Sequence, residues 1–132
     1  MKKTIKVVAA IIQNKNGDVF IAERGYGFLK GKWEFPGGKV EKGEDDDKAL
    51  KREIREELDT TLSIGPLFTN VKYDYGDFFL DRNCYLCHIL EGRLKRKEEI
   101  HLAEAFQPIS QLKEEDFCPA DALVVAKLKK RK

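Results

Sequence analysis

Glu53, Glu56 and Glu57 are the residues whose type and spacing offer the most chemistry in this chain. An α-helix advances about 100° per residue, so with Glu53 as reference Glu56 falls near roughly −60° and Glu57 near roughly +40°. The three carboxylates share one stripe. Leu50, Ile54 and Leu58 fall between about +60° and +140°, the face that packs inward, while Lys48, Lys51 and Arg55 take the solvent side. Like charges at this spacing repel by about a few tenths of a kcal/mol per pair. A hard divalent cation takes carboxylate oxygens and shares them with substrate phosphates, which turns the repulsion into binding. Arg52, one turn before Glu56, is placed to pair with a carboxylate and orient it. Alone, the run Arg-Glu-Ile-Arg-Glu-Glu is equally the charged face of a solvated helix.

The segment ahead of the helix favours the chemical reading. Phe35-Pro36-Gly37-Gly38-Lys39-Val40-Glu41-Lys42-Gly43-Glu44 supplies three glycines, which let backbone approach a phosphate or a metal, and places Glu44 at the helix entrance. It reads as a phosphate loop feeding the helix.

Together these residues resemble the signature of the Nudix hydrolase family. That signature is Gly, five residues, Glu, seven residues, Arg-Glu, an aliphatic residue, any residue, Glu-Glu, any residue, Gly and an aliphatic residue. Gly38, Glu44, Arg52, Glu53, Ile54, Glu56 and Glu57 fall in place, whereas Asp59 replaces the last Gly and Thr60 the last aliphatic residue. Asp is among the few residues that tolerate the left-handed helix cap a Gly would form, so a modest stability cost with retained activity is expected. The resemblance implies that Glu53, Glu56 and Glu57 bind Mg²⁺, or Mn²⁺ in its place, with the Gly37 carbonyl contributing and with Glu44 and Arg52 supporting the helix. It also implies attack of metal-activated water on a phosphorus of a nucleoside diphosphate linked to another group. A nucleoside triphosphate would then give the monophosphate and pyrophosphate. Glu53 is one candidate general base. A glutamate further along is the other, where spacing does not choose between Glu98, Glu99 and Glu104; Glu99 stands with the helix glutamates as the catalytic candidate.

Over nearly the whole chain the resemblance narrows to the MutT-like subgroup, which includes CTP pyrophosphohydrolases. It rests on Trp33-Glu34-Phe35-Pro36-Gly37-Gly38-Lys39-Val40-Glu41 and on Phe117-Cys118-Pro119-Ala120-Asp121. In that subgroup an Asn at the position of Asp121 reads an oxidised guanine through paired hydrogen bonds. An ionised Asp accepts without donating, which suits the cytosine amino group as well. The implied substrate is 8-oxo-dGTP, with CTP, dCTP or a modified cytosine nucleotide as the alternative. Phe35, Tyr75 and Leu80 are candidates to sandwich the base, and Arg24 to hold a phosphate. Core packing for Phe35 and Leu80, a strand-end position for Tyr75 and a surface ion pair for Arg24 are equal alternatives. A Nudix-fold sensor that binds a nucleotide without turning it over is the reading of another class, and the intact glutamate set argues against it.

The elements that must hold these residues follow from local pattern. Asp45 to Leu58 has no Gly or Pro and has aspartates in its first turn, which predicts a helix. Val7 to Ile12, an Asn16-Gly17 turn and Val19 to Ala22 read as a hairpin with Arg24 at its far end, followed by a glycine-rich, aromatic loop from Gly25 to Gly31. Thr61 to Ile64, Leu67 to Tyr73 and Phe78 to Leu90 read as strands broken at Gly65-Pro66 and Gly76-Asp77. Ala103 to Pro108 reads as a short strand and Gln111 to Asp116 as one or two helical turns. Pro119 opens a last helix with Val124, Val125 and Leu128 inward. The order suits an α/β/α sandwich with a mixed β-sheet, the α/β architecture the resemblance also implies.

Composition bounds the rest. A chain of 132 residues with 42% hydrophobic content has room for one ordinary core, so a single domain over 1–132 is expected. Lys and Arg number 25 against 23 Asp and Glu, a balance that creates no field calling for nucleic acid or membrane. The basic C-terminal run, Lys127 to Lys132, reads better as cations complementing a helix end than as a nucleic-acid tail. Met1-Lys2-Lys3 before an apolar run imitates a signal peptide, but the β-branched residues and following turn favour a buried first strand. No apolar run nears the ~20 residues that span a bilayer, and a cytoplasmic protein is expected. Cys84, Cys87 and Cys118 form no disulfide pattern; the Cys84-Tyr85-Leu86-Cys87-His88 run matches a haem-attachment spacing but falls in a strand, where residues three apart face opposite sides.

Overall fold

A computed structural model of the chain describes residues 2–92, 94 and 100–131. Seven strands and two helices follow one another: β1 (Lys3–Ile12), β2 (Val19–Arg24), β3 (Trp33–Glu34), β4 (Gly37–Lys39), α1 (Asp46–Leu58), β5 (Thr60–Asp74), β6 (Phe78–Gly92), β7 (His101–Gln107) and α2 (Pro119–Lys130). The strands form a four-stranded mixed sheet, ordered β4-β1-β6-β5, and a three-stranded sheet, ordered β3-β2-β7. In the first, β1 runs parallel to β6 and antiparallel to β4.

Strand alternation divides the core in two. Val8, Ala10, Ile12, Phe20 and Ala22 face α1, meeting Ala49, Leu50, Ile54 and Leu58. Ala9, Ile11, Val19, Ile21 and Cys84 face α2, meeting Ala120, Val124, Val125 and Leu128. Helix, sheet layer and helix stack as an α/β/α sandwich. Cys84 and Cys87 fall in opposite halves, as a strand requires, and all three cysteines are free and buried.

Three local expectations change. The β1–β2 hairpin does not form: β1 and β2 lie in different sheets, and among the described residues they are joined by an isolated bridge between Gln13, just past β1, and Val19. Both edges of β1 are taken by β4 and β6, so the Asn14–Asp18 turn swings β2 into the other sheet. There Asn14 Oδ1 accepts from the Asn16 and Asp18 N–H groups, and Gly17 adopts φ 81°. Gly65-Pro66 does not break a strand either. β5 passes through it with register shifts, a bulge on an edge strand, the setting in which a sheet tolerates proline. Finally, Gly37-Gly38 is strand rather than phosphate loop, paired with Ala9 and Val8 of β1. The turns after β7 are two 3₁₀ turns, Ile109–Gln111 and Glu114–Asp116. No helix among the described residues is long and apolar enough to cross a membrane.

Candidate active site

The helix that carries the glutamates is fixed at both ends. Asp45 caps it, its side chain accepting from the Lys48 N–H at 2.9 Å, with Asp46 and Asp47 in the first turn. At the other end Asp59 takes φ 52°, ψ 44° and donates its N–H to the Arg55 carbonyl. The predicted left-handed cap is therefore present, and Asp59 is the one non-glycine residue with positive φ among the described residues.

Along α1, Arg52 organises the acidic stripe. Its Nε and Nη2 form a fork on Glu44 at 2.7 and 2.9 Å, Nη1 donates to Glu53 at 3.0 Å and to Glu56 at 3.3 Å, and Nη2 also reaches the Lys39 carbonyl at 3.1 Å. This fork holds the Glu44 carboxyl down at about 2, and the hydrogen bonds that Arg52 donates to Glu44 raise the guanidinium in turn. The helix is thereby tied to the loop before it.

The three glutamates are not equivalent. The Glu56 side chain is 56% exposed and leans on Arg52. Glu53 is held against the backbone of β4, where a Cβ at Gly38 would overlap its carboxylate. Glu57 is buried deepest. Desolvation, then the charges of Glu34 and Glu53, push its carboxyl up to about 9 against an opposing hydrogen bond from the Gly37 backbone, and its Oε2 has no hydrogen-bond partner among the described residues. Desolvation also raises Glu53. Gly37 itself sits so close to Val8 that a Cβ there would overlap the Val8 carbonyl oxygen. Gly37, Glu53 and Glu57 thus converge, with Glu56 at the rim. Among the described residues no three His, Cys, Asp or Glu side chains are already gathered to hold a metal ion.

Sheet register adds residues that sequence spacing did not select. Ala22 of β2 stands opposite Glu34 of β3 and opposite Glu104 of β7, so both glutamates lie on the α1-facing side of the small sheet. Of the three glutamates that competed for the later position, register sets Glu104 opposite Ala22, while Glu98 and Glu99 lie outside the described residues. A bulge at Glu23/Arg24 brings His101 into phase with Glu104. His101 is 0% exposed, its Nδ1 3.5 Å from Glu104 Oε2 and its Nε2 3.9 Å from Glu34 Oε2. Burial, then the Arg24 charge, pushes the imidazole down to about 4. Burial and the Asp121 charge push Glu34 up to about 7, opposed by Arg24 and Arg82.

Beside these carboxylates opens a cleft of about 130 Å³ whose walls include Arg24, Phe28, Glu34, Tyr75, Leu80 and Arg82. Three of the expected substrate contacts, Arg24, Tyr75 and Leu80, meet here. Arg24 is ion-paired with Glu34 at 3.2 Å and lies over the Tyr26 ring. Phe35 offers no open face: it is 2% exposed, stacked on Phe117 with centroids 5.7 Å apart, and buttresses the cleft from within. Asp121 is also buried, accepting from the Phe35 N–H at 3.0 Å and ion-paired with Arg82 at 2.6 Å. A wider groove of about 640 Å³ at the far end of β2, between Gly17 and Lys129, shares none of these groups.

Comparison with known proteins agrees with this arrangement. The sequence matches the NUDIX domain family over residues 3–131. It is 33% identical over 129 residues to an 8-oxo-dGTP diphosphatase of Escherichia coli (strain K12), covering 97% of this chain and 98% of that protein. A CTP pyrophosphohydrolase of the same organism is 47% identical over 64 residues, 48% of this chain and 47% of that one. The fold matches the crystal structure of a MutT NUDIX hydrolase from Burkholderia pseudomallei with a TM-score of 0.86 at 23% identity, covering 96% and 98% of the two chains. With family match and signature helix running through one continuous fold, the chain belongs to the Nudix family of hydrolases.

Proposed function

We propose that this protein is a Mg²⁺-dependent nucleoside triphosphate pyrophosphohydrolase that releases the monophosphate and pyrophosphate, with 8-oxo-dGTP as its preferred substrate and a cytoplasmic nucleotide-cleansing role. The observation that carries the reading is the convergence of Glu53 and Glu57 on the Gly37–Gly38 backbone, with the Glu57 Oε2 buried beside Glu34 and without a hydrogen-bond partner among the described residues. A concentration of buried carboxylates without a compensating cation is costly, and an all-oxygen donor set fits Mg²⁺ or Mn²⁺. Glu53 and Glu57 would hold the ion, Glu56 would join from the rim, and the Gly37 backbone would border it. Bound there, the ion lowers the pKa of water and neutralises phosphate oxygens.

The chain's own residues supply the rest. Arg52 and Glu44 hold the helix against β4, so the glutamate stripe is positioned before substrate arrives. Arg24, at the mouth of the cleft, is placed to receive a phosphate. For the later glutamate role Glu99 stays a candidate with Glu98, and Glu104, which sheet register sets facing α1, stands beside them. The full-length likeness to an 8-oxo-dGTP diphosphatase supports the oxidised purine. The cytidine triphosphate reading keeps one specific support, the higher local identity to a CTP pyrophosphohydrolase.

The test is a panel of 8-oxo-dGTP, dGTP, dCTP and CTP with Mg²⁺, ranked by kcat/KM. Highest efficiency on 8-oxo-dGTP is expected, and higher efficiency on CTP or dCTP would replace the substrate. Glu53→Gln and Glu57→Gln are each expected to lower kcat by about 10³-fold or more while circular dichroism stays native. Near wild-type turnover in both would remove the metal assignment.

A further inference from the structure

We infer that His101 is a positioning residue of the site: a buried imidazole that donates its Nδ1–H to Glu104 and holds that carboxylate on the α1-facing side of the small sheet. The inference rests on the proposed hydrolase reading for what the held carboxylate serves, with Glu104 among the candidates for the later glutamate role.

A regular strand would not bring these two side chains together. Residues three apart face opposite sides of a strand, so His101 and Glu104 meet only because β7 falls out of step with β2. Ala22 pairs with Glu104 and Glu23 with Ala103, but Arg24 pairs with His101, which leaves Leu102 as the extra residue. An irregularity of this kind re-aims a side chain. Here it turns toward Glu104 an imidazole that would otherwise lie on the other face of the sheet.

Packing alone does not ask for a histidine there. The side chain is 0% exposed, and burying two ring nitrogens has a cost that burying a leucine does not. Neither nitrogen has a hydrogen-bond partner of ordinary geometry among the described residues, and the groups that face them are carboxylates. Glu104 Oε2 lies 3.5 Å from Nδ1, and Glu34 Oε2 lies 3.9 Å from Nε2. Glu34 already accepts from Arg24 Nη1 at 3.2 Å. The ring proton therefore belongs on Nδ1, toward the nearer carboxylate, with Nε2 bare. Burial, then the charge of Arg24, keeps the ring neutral with its pKa down at about 4, so it has a single N–H to place.

An imidazole without exposed surface does not meet substrate or water, which excludes it as the base itself. What it can do is fix the glutamate. A hydrogen bond to one carboxylate oxygen sets the side-chain orientation and leaves the lone pairs of the other oxygen to the reaction. A misplacement of about 1 Å in a reacting group costs about 100-fold in rate. Losing the hold should act on kcat rather than KM, because no bond to substrate is removed.

The experiment joins spectroscopy to kinetics. Isotopic labelling of histidine nitrogen reports the ring by NMR, and since the chain has only two histidines, His88→Gln removes the other signal. His101 is expected to stay neutral down to about pH 5 with its proton on Nδ1, and Glu104→Ala to move that proton to Nε2. In turnover, His101→Asn places an amide N–H near the lost Nδ1, and His101→Gln places one near the lost Nε2. His101→Leu is expected to lower kcat by about 30-fold with KM within about twofold, His101→Asn to recover to within about threefold of wild type, and His101→Gln not to recover. In a Glu104→Gln background His101→Leu should cost no further kcat. Wild-type kcat in His101→Leu, equal losses in the Leu and Asn variants, or an additive loss in the Glu104→Gln background would overturn the inference in favour of a packing role. Should His101→Leu fail to fold, the Asn and Gln variants and the wild-type spectrum decide. If wild type hydrolyses no triphosphate, the hydrolase reading fails by itself. The labelled ring then decides: a proton on Nδ1 that moves in Glu104→Ala supports the hold, and a proton on Nε2 or a mixture of tautomers rejects it.

Discussion

Gly38 shows how a residue with no side chain can be part of a charged site. Its Cα faces the Glu53 carboxylate so closely that a methyl group would take the carboxylate's place. Gly38→Ala should displace Glu53 without deleting any functional group. The expected result is a kcat/KM lowered by about 100-fold together with weaker Mn²⁺ binding, read by paramagnetic relaxation of water protons, in a protein that still unfolds cooperatively. Unchanged Mn²⁺ affinity would show that Glu53 is dispensable for the ion. The same geometry ranks the helix glutamates. Glu56 is the exposed one and shares Arg52, so Glu56→Gln should cost no more than about 10-fold in kcat, well below the effect of Glu57→Gln. Equal losses at the two positions would place the ion nearer the rim than the burial pattern indicates.

Helix α1 carries a departure from its family signature at its last turn, and the structure defines what that departure costs. Asp59 adopts a left-handed conformation that glycine reaches without strain, and its exposed contact with Arg55 Nη1 at 3.7 Å returns little. Asp59→Gly should stabilise the protein by about 1 kcal/mol in urea unfolding, with kcat/KM unchanged. A loss of stability would mean that Asp59 makes a compensating contribution through the unfolded chain. This helix was legible from sequence because its signals are local: aspartates at one end, a tolerated cap at the other and an apolar face at period 3.6. The β1–β2 hairpin was misread because turn residues reveal a reversal but not which neighbour occupies a strand's edge. β5 ran through Gly65-Pro66 because an edge strand tolerates a bulge, and edge status is a property of the whole sheet. For the same reason Glu104 could not be separated from its neighbours along the chain. Its place across Ala22 from Glu34 is a relation between three strands. Arg82 and Asp121 likewise become a pair only when β6 and α2 meet.

The assembled molecule concentrates acidic groups around one end of the small sheet, and this makes stability depend on pH and metal together. Folding raises the Glu57 carboxyl from the ordinary 4.5 to about 9, and Glu34 from 4.5 to about 7. Between the ordinary and the folded values the unfolded chain binds fewer protons than the folded one. The stability these groups contribute is therefore fully present below pH 4.5 and is lost as pH rises through about 7 for Glu34 and about 9 for Glu57. His101 acts in the opposite direction: with its folded value near 4 against an ordinary 6.5, its contribution is present above pH 6.5 and lost as pH falls through 4. In chelator-treated protein, Tm should fall between pH 5 and 8 by at least about 5 °C more in wild type than in Glu57→Gln, which has no proton to release. Saturating Mg²⁺ should flatten the wild-type decline and leave the variant nearly unchanged, because the ion stabilises the carboxylate form that pH alone makes costly. Parallel pH profiles for the two proteins without metal would show that Glu57 is already ionised or solvated in the folded state, and the convergence of carboxylates would lose its claim to be a cation site.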